Sequence, residues 1–207
     1  MLNDINPHAI NFYSQLRKGL RIKLEMSNDS DFYYECREEF NALITSGKGY
    51  TRRAAELFYF LNRTGYNGLC RFNKQGLFNV PFGSYKKINY ISDFSAYQKI
   101  FENWTFTIGD FQSVAIEKAA FIYADPPYDV YFTQYAKEGF GWEDQVRLAE
   151  WLAKHKGPVV LSNQATDRIV SLYRALGFRL SFLDAPRMIS CTGNRAKVAE
   201  VVATRGI

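Results

Sequence analysis

Cysteine is scarce in this chain, and long apolar runs are missing altogether. Cys36, Cys70 and Cys191 are odd in number, far apart and without metal-ligand spacing. That pattern excludes a disulfide framework and a zinc ribbon, and reduced thiols are expected. No stretch approaches the ~20 apolar residues that a membrane helix needs. The opening Met1-Leu2-Asn3-Asp4-Ile5-Asn6-Pro7 lacks the basic and apolar regions of a signal peptide, so a cytoplasmic location is expected. Internal repeats and low-complexity segments are also absent. What remains is a chain of 207 residues, 47% hydrophobic and 16% aromatic, enough to fill one medium core. The length fits one domain, or a catalytic domain carrying a small inserted lobe.

The net charge of +5 is unevenly placed. Lys48, Arg52, Arg53, Arg63, Arg71, Lys74, Lys86 and Lys87 are opposed between positions 48 and 90 by Glu56 alone, which makes that segment +7 and the remainder −2. A concentrated positive stretch in a near-neutral protein points to a polyanion, because each neutralised phosphate releases condensed counterions. A solvated charged surface is the alternative.

Periodicity supplies the elements. The first residues read as a strand turning into a helix, with Asn6-Pro7 as its cap and Ile10, Tyr13, Leu16 and Leu20 on its apolar side. Helices are predicted near 31–44 (inner side Phe32, Cys36, Phe40, Leu43 and Ile44), 51–62, 92–101, 142–154 and 167–176. Two short strands, 69–72 and 77–80, are predicted to form a hairpin about Lys74-Gln75-Gly76. The second half alternates strands (105–108, 120–124, 159–162, 178–183 and 198–203) with helices, which predicts an α/β domain with a mostly parallel sheet. Residues 120–124 are almost wholly apolar, as expected of a strand covered on both faces. Residues 187–203 read as an antiparallel closing pair about Gly193-Asn194.

The most informative stretch is Phe121-Ile122-Tyr123-Ala124-Asp125-Pro126-Pro127-Tyr128. An apolar strand delivers an acid, two prolines and an aromatic ring to the carboxyl edge of a sheet, where α/β proteins bind ligands. This set suits chemistry on an exocyclic amine, whose lone pair is delocalised into a purine ring. Asp125 and the Pro126 carbonyl would accept its two N–H groups and localise that lone pair. The prolines fix φ and remove competing donors. Tyr128 offers a flat face on which an extruded base can stack. A plain strand end followed by a proline turn is the competing reading.

Asp-Pro-Pro-Tyr after an apolar strand resembles the catalytic motif of amino-methyltransferases that use S-adenosylmethionine. The wider pattern resembles Dam-type DNA adenine-N6 methyltransferases, which modify GATC. It runs through Asn3-Asp4-Ile5-Asn6-Pro7, the segment Asn62-Arg63-Thr64-Gly65-Tyr66-Asn67-Gly68-Leu69-Cys70-Arg71-Phe72-Asn73, Phe78-Asn79-Val80-Pro81-Phe82-Gly83, the Asp125 motif, Leu161-Ser162-Asn163, and Ser190-Cys191-Thr192-Gly193. The resemblance implies a Rossmann-like sheet with an inserted helical and hairpin lobe. The catalytic domain would comprise residues 1–28 and 103–207, and the recognition lobe residues 29–102. It implies Asp125, Pro126, Pro127 and Tyr128 as catalytic residues, and S-adenosylmethionine as cofactor, with no metal. Asp4 would bind the cofactor's ribose hydroxyls, and Asp110 and Phe111 its adenine, beside Asp125. A capping aspartate at position 4 and an ordinary turn at 110–111 are the alternatives.

For DNA the resemblance implies Arg71 as the reader of a guanine. Tyr66 would wedge into the stack with Asn67 beside it. Leu69 and Pro81 would make apolar contacts, and Tyr85, Lys86 and Lys87 would complete the interface, the lysines on phosphates. Hairpin packing is the competing account of Tyr66, Leu69 and Pro81. Ser84 replaces a longer basic residue found in close relatives.

One departure matters. The family precedes the acid matched by Asp4 with a lysine-bearing motif and a strand ending in a Phe-x-Gly-x-Gly loop. Here glycine first occurs at Gly19, and that pattern occurs nowhere. About fifty family residues are therefore expected to be absent. The missing strand should leave the neighbours carrying Asp4 and Asp125 without a partner. The expected protein is a monomer on double-stranded DNA, or one part of a split enzyme with a complementing amino-terminal polypeptide. A non-catalytic DNA-binding remnant and methylation of another amine remain as alternatives.

Overall fold

The computed structural model describes residues 1–129, 139–186 and 197–207. They form a mixed α/β protein in two compact units, Met1–Phe111 and the described residues from Gln112 onward.

The first unit begins with β1 (Leu2–Asp4) and α1 (Pro7–Arg17). Asn6 Oδ1 accepts the amides of His8 and Ala9, while Pro7 occupies the first helical position, where its missing N–H costs nothing. Two helices follow, α2 (Ser30–Thr45) capped by Asp29 and α3 (Arg52–Thr64) capped by Thr51. Then come α4 (Ser95–Ile100) and β2 (Phe106–Ile108). Helix α3 is apolar around most of its circumference (Ala54, Leu57, Phe58, Phe60 and Leu61 are all buried), which places it centrally between its neighbours. On one side Tyr33, Cys36 and Phe40 of α2 pack with Leu57, Phe60, Phe78 and Val80. On the other, Leu16, Leu20 and Ile22 pack with Ala55, Phe94 and Phe101. Each such side chain contributes about 1.5–3 kcal/mol of burial. His8 lies stacked on Phe72, centroids 5.1 Å apart, with Nδ1 lacking a hydrogen-bond partner. Burial lowers its pKa.

The second unit contains β3 (Ile122–Ala124), α5 (Trp142–Ala153), β4 (Val159–Gln164), α6 (Asp167–Ala175), β5 (Arg179–Pro186) and β6 (Lys197–Arg205). Asp144 reaches back to the Gly141 amide at the start of α5, and Thr166 caps α6. The core is built on β4, whose Val159 and Leu161 are fully buried, with Leu152, Ile169, Tyr173, Val201 and Ala203.

Several expectations are corrected here. The described strands form two sheets rather than one mostly parallel sheet. β1 and β2 pair in parallel, and the second sheet has the order β3-β4-β6-β5, parallel only between β3 and β4. The closing strand β6 inserts antiparallel between β4 and β5, because the chain returns beside β5 as a hairpin partner and its other edge completes β4. Among the described residues β1, β2, β3 and β5 each pair along one edge only. β3 is shorter than 120–124 and is not covered on both faces: Phe121 and Tyr123 are 61% and 60% exposed. Their side chains alternate with Ile122 and point to the open face. The predicted hairpin at 69–80 reduces to a single bridge, Phe72 to Phe78. Asn73 Oδ1 takes the Gln75 and Leu77 amides, so the turn is held by a side chain in place of a longer ladder. The expected turn at Gly193-Asn194, the match at Ser190 to Gly193, and Cys191 lie outside the described residues.

Candidate active site

The parallel register of β3 and β4 sets the first group. Ala124 pairs with Leu161, so the next residues, Asp125 and Ser162, emerge side by side at the carboxyl edge. Ser162 Oγ donates to Asp125 Oδ1 at 2.6 Å, and Asp125 remains exposed. A hydroxyl bond of this kind fixes the carboxylate's rotation and leaves its second oxygen able to accept a further hydrogen bond. Tyr123 OH lies 3.4 Å from the same Oγ.

Beyond Asp125 the loop is clamped from below. Gln145 Nε2 of α5 donates to the Pro127 carbonyl at 2.7 Å. Asn163, fully buried on β4, accepts the Asp129 amide at 2.9 Å and donates to Gln145 Oε1 (2.9 Å) and Tyr173 OH (3.0 Å). Asp129 in turn holds Thr166 Oγ1 at 2.8 Å and takes Arg168 through both carboxylate oxygens, with Nε at 2.6 Å. Burial alone would raise the Asp129 pKa, but the Arg168 and Thr166 hydrogen bonds outweigh it and the pKa is lowered. Burial pushes the Tyr173 phenol up to about 12. Pro126 is buried, Pro127 exposed, and Tyr128 half-buried with its hydroxyl 3.4 Å from Glu200 Oε2. Burial raises the Tyr128 pKa, so the phenol stays neutral across the physiological range.

The second group belongs to the first unit. Parallel pairing of β1 and β2 brings Asp4 and the Gly109-Asp110-Phe111 turn to one edge, with the Gly109 amide bonded to the Asp4 carbonyl at 3.1 Å. Asp4 Oδ1 accepts the Asn6 amide at 2.7 Å. The helix cap is Asn6, not Asp4, so the capping alternative for Asp4 does not hold. Its Oδ2 has no hydrogen-bond partner among the described residues. Asp110 and Phe111 are half-buried.

The third group, also in the first unit, follows α3. Tyr66, Asn67 and Gly68 form a tight turn in which Asn67 adopts φ +52°, a left-handed conformation that asparagine tolerates. Tyr66 is 38% exposed and its amide bonds the Pro81 carbonyl. Arg71 is aimed across the hairpin by Asn79, through Nε to Oδ1 (2.8 Å) and Nη2 to the backbone carbonyl (2.9 Å). Tyr85 is a brace: its hydroxyl donates to the Gly65 carbonyl (2.8 Å) and accepts the Gly68 amide (3.1 Å). Gly83 permits that contact, since a Cβ there would stand 2.4 Å from the Tyr85 ring. The hairpin is docked on α2 through Asn41 to Phe78 and Tyr33 to Val80. Leu69 is half-buried, part of it packed against the core, whereas Pro81, Lys86 and Lys87 are exposed.

Residues 1–188 match the family described as D12 class N6 adenine-specific DNA methyltransferase. The chain belongs to that family. It is 34% identical to the retron Ec67 DNA adenine methylase of Escherichia coli, over all of this chain and 75% of that protein. It is 37% identical to a DNA adenine methylase of Vibrio cholerae (98% of this chain, 78% of the relative). It is 36% identical to the type II methyltransferase M.MjaIII of Methanocaldococcus jannaschii (94% and 70%). An adenine-specific DNA methyltransferase acts on DNA and needs a methyl donor. No described helix is long and apolar enough to cross a membrane.

Sequence reasoning had assigned no roles to Ser162, Asn163, Gln145, Asp129 and Arg168. The one signal was Leu161-Ser162-Asn163, polar residues ending an apolar strand, whose partner could be named only once β4 was known to lie beside β3.

Proposed function

We propose that this protein transfers a methyl group from S-adenosylmethionine to N6 of an adenine flipped out of duplex DNA, at GATC. The observation that carries this reading is Asp125: an exposed carboxylate at the carboxyl end of β3, oriented by Ser162, opening a loop clamped by Gln145 and Asn163. Asp125 and the Pro126 carbonyl accept the amino hydrogens of the target base and localise its lone pair, an electrostatic and positional contribution fixed before the base arrives. Tyr128 supports the flat face of the base. Residues 29–102 form the recognition lobe: Arg71 reads a guanine, Tyr66 and Asn67 fill the gap in the stack, Leu69 and Pro81 make apolar contacts, and Lys86 and Lys87 meet phosphates. Tyr85 acts through the turn it braces.

The donor set at the β1–β2 edge fits the cofactor in part. Asp4 Oδ2 suits a ribose hydroxyl, and the half-buried Phe111 beside Asp110 suits an adenine ring. When bound, S-adenosylmethionine supplies an electrophilic methyl group on sulfur.

The test is methylation of a GATC duplex, read by digestion with nucleases sensitive to adenine methylation. Asp125→Ala is expected to lower the rate by at least about a hundredfold while DNA affinity stays within about twofold. Full activity of that variant, or methylation elsewhere than GATC, would refute the proposal at the residue or at the site.

A further inference from the structure

The first unit carries a second basic surface, at the end of α3 opposite the recognition turn. Lys18, Arg21, Lys23, Arg52 and Arg53 line a cleft of about 740 Å³, with Glu56 at its base. The backbone explains the clustering. After α1 the chain runs extended, with Leu20 and Ile22 buried at 1% and 9% exposure, so that Arg21 and Lys23 alternate with them and face solvent. This strip is tied to the segment before α4 by the Phe94 amide on the Leu20 carbonyl (3.0 Å) and the Ile22 amide on the Ser92 carbonyl (2.7 Å). Arg52, at the first position of α3, closes the cleft by donating to the Gly19 carbonyl at 3.4 Å.

Two of the five cations are neutralised. Arg53 is paired with Glu39 and Glu56, and Arg21 with Asp93. Lys18, Lys23 and Arg52 have no acidic partner among the described residues, and because Arg53 faces two carboxylates the five cations and three acids (Glu39, Glu56 and Asp93) leave this concave surface with a net charge of +2.

We propose that this cleft holds backbone phosphates of the duplex that flanks the recognised site. The proposal rests on the reading of residues 62–85 as the recognition segment and adds a second contact to it. The 13 residues of α3 separate Arg52 from the Tyr66 turn by about 18 Å along the helix. At 3.4 Å per base pair that is about five base pairs, so a duplex running along α3 from the turn reaches the cleft with its next stretch of backbone. Such a contact positions the protein and adds affinity without reading sequence.

Fluorescence anisotropy tests this with two labelled GATC duplexes, one flanked by about ten base pairs on each side and one by about two, each over a salt series. The variants are the triple substitution Lys18→Ala, Lys23→Ala, Arg52→Ala, all at exposed positions, and Arg71→Ala. The triple variant is expected to bind the long duplex about tenfold more weakly at 0.1 M salt, with the slope of log K against log salt reduced by about two to three. Its affinity for the short duplex should match the wild type, whereas Arg71→Ala weakens both. Unchanged long-duplex affinity and slope in the triple variant overturn the cleft proposal while leaving the recognition reading intact. Equal loss on both duplexes overturns it as well, because the effect is then general charge. Failure of the wild type to bind either duplex removes the recognition reading and the cleft proposal together.

Discussion

Asn163→Ala is the most direct probe of how the loop after Asp125 is held. The side chain is fully buried, and its removal deletes four hydrogen bonds: Oδ1 accepts the amides of Asp129 and Gln164, and Nδ2 serves Gln145 and Tyr173. A typical internal hydrogen bond contributes about 0.5–1.5 kcal/mol net, and a buried group left without a partner costs about 1–3 kcal/mol. Gln164 is the adjacent residue and Tyr173 OH can turn to another acceptor, so about 3 kcal/mol is the expected loss. Urea unfolding reads it as a lower midpoint at unchanged slope. The same measurement on Gln145→Ala and on the double variant tests whether the two residues act as one clamp. They touch at 2.9 Å, so a coupling of about 1 kcal/mol is expected. Methylation by Asn163→Ala should fall by about a hundredfold in kcat with little change in KM for DNA, because the loop loses its placement and not its contacts. Additive single losses within about 0.3 kcal/mol, or a wild-type kcat in an Asn163→Ala enzyme of reduced stability, would refute the clamp.

Asp129 gives a pH signature. Its pKa is lowered by Arg168 and Thr166 in the folded protein, so the stability it contributes is present above the unfolded value of about 3.9 and is lost as pH falls through the folded pKa. Asp129→Asn should flatten the acid limb of stability below about pH 4, and an unaltered limb counts against the pairing. Arg71→Ala should cost about 1–3 kcal/mol of discrimination at one guanine; competition binding against singly mismatched duplexes reads this, and an equal loss on every sequence contradicts base reading. Gly83→Ala places a Cβ 2.7 Å from the Thr64 carbonyl as well as against Tyr85, so a loss of about 1–3 kcal/mol by overpacking is expected together with weaker duplex binding. A variant as stable as the wild type would show that the brace can shift.

What could be read from residue order was local. Asn6-Pro7 marks a helix start because a cap needs only the amides two or three residues ahead. Asp125-Pro126-Pro127-Tyr128 was legible because an apolar strand and the group it delivers are contiguous. The +7 segment was legible as a charge count, but the cleft at Lys18, Lys23 and Arg52 was not, since two of these three cations come from a strip more than twenty residues earlier in the chain. Tyr85 was legible as part of the interface segment, but the brace its hydroxyl forms between Gly65 and Gly68 was not.

Register and pairing across the chain were decided only in three dimensions. Ser162 orients Asp125 because β3 and β4 pair in parallel with Ala124 opposite Leu161, and β6 separates β4 from β5 although β5 precedes it. A strand's sequence fixes which side chains alternate and which are apolar, but its two edges are chemically alike. Which neighbour takes each edge is settled by the packing of the whole chain.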